Sequence, residues 1–197
     1  MVTAVNLGIP VAHRKNYNIV YTLIPKPAEL GHTNSLTSRF GQGAFPLHTD
    51  TAHWRQPARY VILGCVNPGR GRRKTQLLHE KSVCLPGKEQ QLVDNAIFVV
   101  KRQAGSFLAT IFQHEFMRLD FQCMLPVNKL AEEALVAIAE RIEQEELIEV
   151  DWKPGRMLVI DNWRMLHGRA SAQEEDGDRR MLRVLVGKSN NELDNCF

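Results

Sequence analysis

Short apolar runs separated by turn residues recur along this 197-residue chain, and they constrain its fold more than any other feature. Runs of strand length stand at Asn18 to Ile24, Arg59 to Val66, Ala96 to Lys101, Ser106 to Phe112 and Phe116 to Phe121. The last sets Phe116, Arg118 and Asp120 against Met117, Leu119 and Phe121, the period of a half-buried strand. Further strands are expected at Leu147 to Val150, at Met157 to Ile160 across a Lys153-Pro154-Gly155 turn, and at Arg180 to Val186, closed by Gly187. One principal helix interrupts them. It starts at Pro126 to Asn128, and Leu130, Ala134, Leu135, Ile138 and Ile142 repeat at helical spacing before Glu143-Gln144-Glu145-Glu146. Many short strands around one helix predict a mainly β chain with a few helices, of jelly-roll type rather than alternating βαβ units.

The length suits one domain with a sizeable core, so residues 1–197 are read as a single domain. A net charge of +3 gives no pointer to nucleic acid. The basic loop Arg70, Arg72, Arg73 and Lys74 lacks interleaved aromatics and reads as a solvated loop, which also argues against nucleic acid. The four cysteines (Cys65, Cys84, Cys123, Cys196) are scattered, with no C-x-x-C pair, as for free and mostly buried thiols in a reducing cytoplasm. No apolar run approaches the roughly 20 residues that span a bilayer, and Met1 to Lys15 lacks the pattern of a signal peptide. No membrane contact is expected, the expected location is cytoplasmic, and a homo-oligomer is left open.

Chemistry enters at Phe45-Pro46-Leu47-His48-Thr49-Asp50. Residues two apart on a strand point to one face, so His48 and Asp50 can reach one metal from one backbone segment. His167 is the best third ligand because it follows a predicted strand and an Asp161-Asn162 turn. Two His and one carboxylate form the facial set that leaves open positions on a non-haem Fe(II). A single His-x-acid arises about once by chance in a chain with seven histidines. The competing reading of His48 is therefore a turn histidine bonded to backbone. His13, His32, His53, His79 and His114 read as structural or solvated.

The arginines after His167 strengthen the first reading. Arg179, Arg180 and Arg183 lie at the start of an apolar strand, where cations stay buried only if they meet an anion. Their planar forks bind a carboxylate bidentately. Alternatively, Arg179 and Arg180 balance Glu174, Glu175, Asp176 and Asp178 in the preceding loop. Thr75 follows the basic loop and begins the run Thr75-Gln76-Leu77-Leu78, and its hydroxyl can donate to the same carboxylate.

Taken together, Phe45-Pro46-Leu47-His48-Thr49-Asp50, Thr75, Asp161-Asn162-Trp163-Arg164-Met165-Leu166-His167-Gly168-Arg169 and Asp178-Arg179-Arg180-Met181-Leu182-Arg183 resemble the taurine dioxygenase (TauD/TfdA) and clavaminate synthase-like family. The resemblance covers about residues 35–80 and 150–187. It implies a double-stranded β-helix, cupin-like, and an Fe(II)- and 2-oxoglutarate-dependent dioxygenase. Such an enzyme hydroxylates an unactivated C–H bond of a small molecule with O2 and releases succinate and CO2. By position it implies His48, Asp50 and His167 as iron ligands and Thr75 as a 2-oxoglutarate contact. Arg179 or Arg180 would hold the cosubstrate and Arg183 a substrate anion, with Arg179 preferred because Arg179 and Arg183 fall on one face. Arg183 leans towards an anionic or amino-acid-like substrate, and His53, Trp54 and Arg55 are candidates for the substrate mouth. The N-terminal part is reduced relative to the family, so a catalytically degenerate metal-binding β-barrel acting as a binding module is the alternative.

Overall fold

The computed structural model describes residues 1–14, 17–31, 36–102, 105–173 and 176–188. His32, Glu174, Glu175 and Cys196, which entered the sequence reading, lie outside them. In chain order the elements begin with α1 (Val2–Leu7), β1 (Ile9–Val11), β2 (Tyr21–Leu23), a 3-10 turn (Ala28–Leu30), α2 (Leu36–Phe40) and β3 (Phe45–His48). They continue with β4 (Tyr60–Asn67), β5 (Thr75–His79), α3 (Glu80–Val83), α4 (Gly87–Asn95), β6 (Phe98–Arg102), β7 (Gly105–Ala109) and β8 (Met124–Pro126). The last are α5 (Lys129–Gln144), β9 (Ile148–Val150), β10 (Met157–Asp161), β11 (Met165–Arg169) and β12 (Arg180–Gly187).

The architecture is mainly β with a few helices, and every strand pairing is antiparallel. The first sheet runs β1-β12-β4-β10, with β2 sharing the β1 edge of β12. The second runs β3-β11-β5-β9, and a small third sheet runs β7-β6-β8. Alternation along β12 explains its place. Met181 and Leu185 turn into a core that also holds Val61 and Leu63 of β4 and Leu77 of β5, so the first two sheets pack face to face. Val184 and Val186 turn the other way, onto Ile62 and Ala4 of α1. The far face of the second sheet carries Leu47, Leu78 and Leu166, and it packs on α3, α4, α5 and the third sheet. Arg183, between Met181 and Leu185 on the inner face, is thus placed by pleat alone in an apolar interior.

Helix α5 forms where the apolar spacing predicts, with Ala131, Ala134 and Ile138 buried. The Asn128 side chain accepts from the Ala131 N–H at 3.0 Å, an N-cap contributing about 1 kcal/mol. Four shorter helices, α1 to α4, accompany it, so it is the principal helix but has company.

Two expectations are corrected. Phe116 to Phe121 forms no strand: a single bridge joins Phe112 to Met117, and the segment's polar groups are taken one at a time by Ile111, Trp163 and Thr49. Strand β3 stops at His48, so Asp50 sits in the following turn and not on a shared strand face. His167 follows β10 and the Asp161-Asn162 turn as expected, and there it lies inside a further strand, β11. Of the thiols, Cys65 is buried and Cys123 half-buried, while Cys84 is exposed. Among the described residues no helix is long and apolar enough to cross a membrane.

Candidate functional site

The β3–β11 ladder sets His48 directly opposite His167, and their ring centroids lie 4.6 Å apart. Both side chains take the inner face because their neighbours Leu47 and Leu166 take the outer one. The close approach of the two strands depends on Gly168. A Cβ there would stand 2.7 Å from the Phe45 carbonyl oxygen, where the ladder also slips register. His48 Nδ1 lies 2.9 Å from the Pro46 carbonyl, which as an acceptor puts the proton on Nδ1 and leaves Nε2 with its lone pair. His167 Nδ1 is buried and has no hydrogen-bond partner. Burial, then repulsion from His48, pushes the His167 imidazole down to about 3, so it is neutral near pH 7.

Asp50 enters from the turn beyond β3. Its Oδ2 accepts from Arg183 Nη1 at 2.8 Å, and its Oδ1 accepts from the Thr51 N–H at 3.0 Å. Burial pushes its carboxyl up, but Arg183, His167 and His48 outweigh that and hold it well below the usual carboxylate range. His48, Asp50, His167 and Arg183 are therefore brought together. Among the described residues, no three His, Cys, Asp or Glu side chains stand as a finished metal cage. The Asp50 carboxylate is engaged with Arg183 and Thr51 instead.

Two histidines read as structural or solvated also reach this place. His13, in the loop after β1, is pushed down to about 4 by burial and then by Arg183, with Asp50 opposing. Its ring stacks on Tyr21 at 6.4 Å and meets His53 edge-on at 6.5 Å. Burial likewise lowers His53, while Asp50 pulls it up. His53 thus lines the site as proposed for the mouth, whereas Trp54 is buried in the core between the sheets. Sequence offers no local signal for His13, because the N-terminal loop is carried there by β1 and β2 pairing with β12.

The second cluster is cationic. Arg179 is buried and donates to the Pro68 carbonyl at 2.7 Å, whereas Arg180 is exposed. Thr75 stands opposite Arg169 on the β5–β11 ladder, and its hydroxyl accepts from Trp152 Nε1 at 3.0 Å. Burial, then Arg73 and Arg179, lower Arg169 to about 9. Burial and Arg179 lower Arg73 to about 10, with Asp176 opposing. Among the described residues, the guanidinium groups of Arg73, Arg169 and Arg179 lie in electrostatic reach of one another, with the buried Asp176 carboxylate acting on Arg73 and Arg179. Arg73 corrects the solvated-loop reading. It is 3% exposed and donates to the carbonyls of Ala170, Gln42 and Gly43 at 2.6, 2.8 and 2.8 Å. Arg169 was not singled out by sequence, though its place two residues beyond His167 puts it on the same face. Arg118, expected on the polar face of a strand, is 0% exposed. It donates to the carbonyls of Ala52, Trp54 and Arg55 and so fixes the loop after Asp50.

Residues 98–185 match the model of the taurine catabolism dioxygenase TauD, TfdA family. That stretch holds His167, Arg179 and Arg183, while His48, Asp50 and Thr75 precede it. A solved asparagine oxygenase in complex with Fe(II), 2S,3S-3-hydroxyasparagine and succinate is similar at a TM-score of 0.76 and 21% identity, covering 95% of this chain and 63% of that one. The non-heme iron oxygenase OrfP in complex with Fe and alpha-ketoglutaric acid is similar at 0.74 and 21%, covering 96% and 63%. A third structure, OrfP with Fe, succinate and (3S)-hydroxy-L-Arg, gives 0.70 and 20%, covering 96% and 66%. This chain therefore spans less than two thirds of the length of the structures it matches. The resemblance read from the motifs finds support: residues 98–185 match the TauD, TfdA family model, and the fold is similar to that of the asparagine oxygenase structure over 95% of this chain.

Proposed function

We propose that this chain is an Fe(II)- and 2-oxoglutarate-dependent dioxygenase that hydroxylates a small anionic or amino-acid-like substrate and releases succinate and CO2. The observation that carries the proposal is the opposed His48–His167 pair with the Asp50 carboxylate coupled to both, facing a sheet that presents buried arginines. The two packed antiparallel sheets support reading the fold as a double-stranded β-helix in one domain. The donor chemistry suits the metal: His48 keeps Nε2 free, His167 is neutral with an orphaned buried nitrogen, and Asp50 is ionised. His48, Asp50 and His167 would hold Fe(II), which supplies the activation of O2 when 2-oxoglutarate is bound.

The chain's own residues do the rest. Arg179 and Thr75 would anchor the distal carboxylate of the cosubstrate and so fix which end meets the metal. Arg183, already bonded to an anion, would orient an anionic group of the substrate. His13, His53 and Tyr21 close the same rim and limit water. The hydroxyasparagine and hydroxyarginine bound by the similar structures support an amino-acid-like substrate.

Anaerobic addition of Fe(II) and 2-oxoglutarate to the chain tests the proposal. A weak visible charge-transfer band, then succinate on admission of O2, is expected. Absence of both rejects it, and a band without succinate favours the degenerate metal-binding barrel.

A further inference from the structure

The backbone of Asp50 lies just past the end of β3, outside the β3–β11 ladder. A side chain distant in sequence takes up its polar groups. Asn162 Oδ1 accepts from the Asp50 N–H at 2.8 Å, and Asn162 Nδ2 donates to the Asp50 carbonyl at 3.0 Å and to the Ala58 carbonyl at 2.8 Å. Only a planar primary amide offers one acceptor and two donors in this arrangement, and at 1% exposure it is shielded from solvent.

The held turn is strained at its centre, and Thr51 also braces it, its hydroxyl donating to the Asp50 carbonyl at 2.6 Å and accepting from the Ala58 N–H at 2.8 Å. Thr51, next to Asp50, has a φ of 57°, a left-handed conformation that a β-branched residue resists. Asn162 is itself fixed. Its N–H donates to the Arg59 carbonyl at 3.0 Å beyond the last β10–β4 pair, and its turn leads directly into β11, which carries His167. The same amide therefore joins Asp50 to the element that sets His167.

We infer that Asn162 is a positioning residue. It fixes where the Asp50 carboxylate stands relative to His48 and His167, and so sets the affinity of the site for a divalent cation. The inference rests on the metal-centre reading of those three residues. Removing an outer partner of a ligand commonly weakens metal binding by about 10- to 100-fold.

The test is a Co(II) titration of the metal-free chain, followed by visible absorption, for the wild type, Asn162→Ala, Asn162→Ser and Arg59→Met. Arg59→Met disturbs the same turn by removing the 2.8 Å ion pair to Asp161 and the stack on Trp163, yet leaves Asp50 untouched. Both Asn162 variants are expected to bind Co(II) about 10- to 100-fold more weakly, and Arg59→Met within about 2-fold of the wild type. Should Asn162→Ala fail to fold, Asn162→Ser retains a hydroxyl to bridge part of the gap and carries the test. A folded Asn162 variant with wild-type Co(II) affinity overturns the inference alone, as does an equal loss in Arg59→Met. A wild type that binds no Co(II) overturns the metal-centre reading and the inference with it.

Discussion

Arg183, on the inner face of the first sheet, donates to Asp50 Oδ2 across 2.8 Å and ties the two facing sheets together at the candidate site. The pair is nearly buried, with side-chain exposures of 16% and 10%. Breaking such a pair strands a charge, so Arg183→Met is expected to destabilise the metal-free chain by about 3 kcal/mol at pH 7. Burial raises the Asp50 carboxyl, and Arg183 is the foremost group pulling it down, to a net value well below the usual range. A carboxyl depressed in the folded state contributes stability above its unfolded value of about 3.9, and that contribution is lost as pH falls. The gap between wild type and variant should therefore narrow below about pH 4. Urea unfolding at pH 7 and pH 3 measures it, and an equal gap at both would refute the assignment.

His167 gives the opposite end of the titration range a test. Burial foremost, then His48, lower it to about 3, so the unfolded chain takes up a proton that the folded chain refuses. Its stabilising contribution is complete above about pH 6.5 and is lost as pH falls towards the folded value. His167→Phe should reduce the slope of unfolding free energy against pH by about 1.4 kcal/mol per unit between pH 6 and pH 4.5. His13, lowered to about 4, retains a slope of its own in that variant. An unchanged slope in denaturant titrations across that interval would show that His167 is protonated in the folded chain.

What could be read in advance was whatever local spacing controls. The stripe of α5, the strands β4, β6, β7 and β12, and the inward turn of Arg183 all follow from periods of 3.6 and 2. What escaped depends on partners distant in sequence. Arg73 looks solvated beside Arg70, Arg72 and Lys74 because the carbonyls that bury it belong to Gln42, Gly43 and Ala170. Phe116 to Phe121 has the alternation of a strand, but Thr49 takes the Leu119 backbone, donating its N–H to the carbonyl and accepting from the amide. Its hydroxyl also donates to the Met117 carbonyl, leaving no edge for a ladder. Asp50 was expected on a strand face, and the turn that carries it is held by Asn162 from 112 residues away.

Gly168 makes a steric prediction. Its Cβ position would lie 2.7 Å from the Phe45 carbonyl oxygen and 3.3 Å from the Leu47 side chain and backbone nitrogen. Backbone cannot yield as a flexible side chain does, so Gly168→Ala should push β3 away from β11. A cost of about 1–3 kcal/mol is expected, as for other overpacked positions. The displaced strand carries His48, so Co(II) binding should weaken in the same variant while Gly64→Ala, whose Cβ would meet only the Leu182 Cβ at 3.9 Å, leaves it unchanged. Thermal unfolding with and without Co(II) separates the two effects, and full Co(II) binding by Gly168→Ala would show that the histidine pair tolerates a wider ladder.

The two adjacent arginines at the head of β12 make the last prediction. Arg179 is buried beside Asp176 and in electrostatic reach of Arg73 and Arg169, while Arg180 points to solvent. Among the described residues, a carboxylate arriving there meets three guanidinium groups and the buried Asp176 carboxylate, so its charge is favoured. A charge-assisted hydrogen bond contributes about 1.5–3 kcal/mol, which converts to roughly 10- to 100-fold in affinity. Arg179→Met should weaken 2-oxoglutarate binding by that amount and Arg180→Met by less than about 2-fold. Arg169→Met should fall between them. Its Nη2 is already held by the Gly41 carbonyl at 2.7 Å and its guanidinium lies over the Phe45 ring, but its Nε is buried without a partner. Calorimetric titration of 2-oxoglutarate into the Co(II)-loaded chain and its three variants reads the order directly. A larger loss in Arg180→Met than in Arg179→Met would move the cosubstrate anchor one residue along, to the exposed first residue of β12.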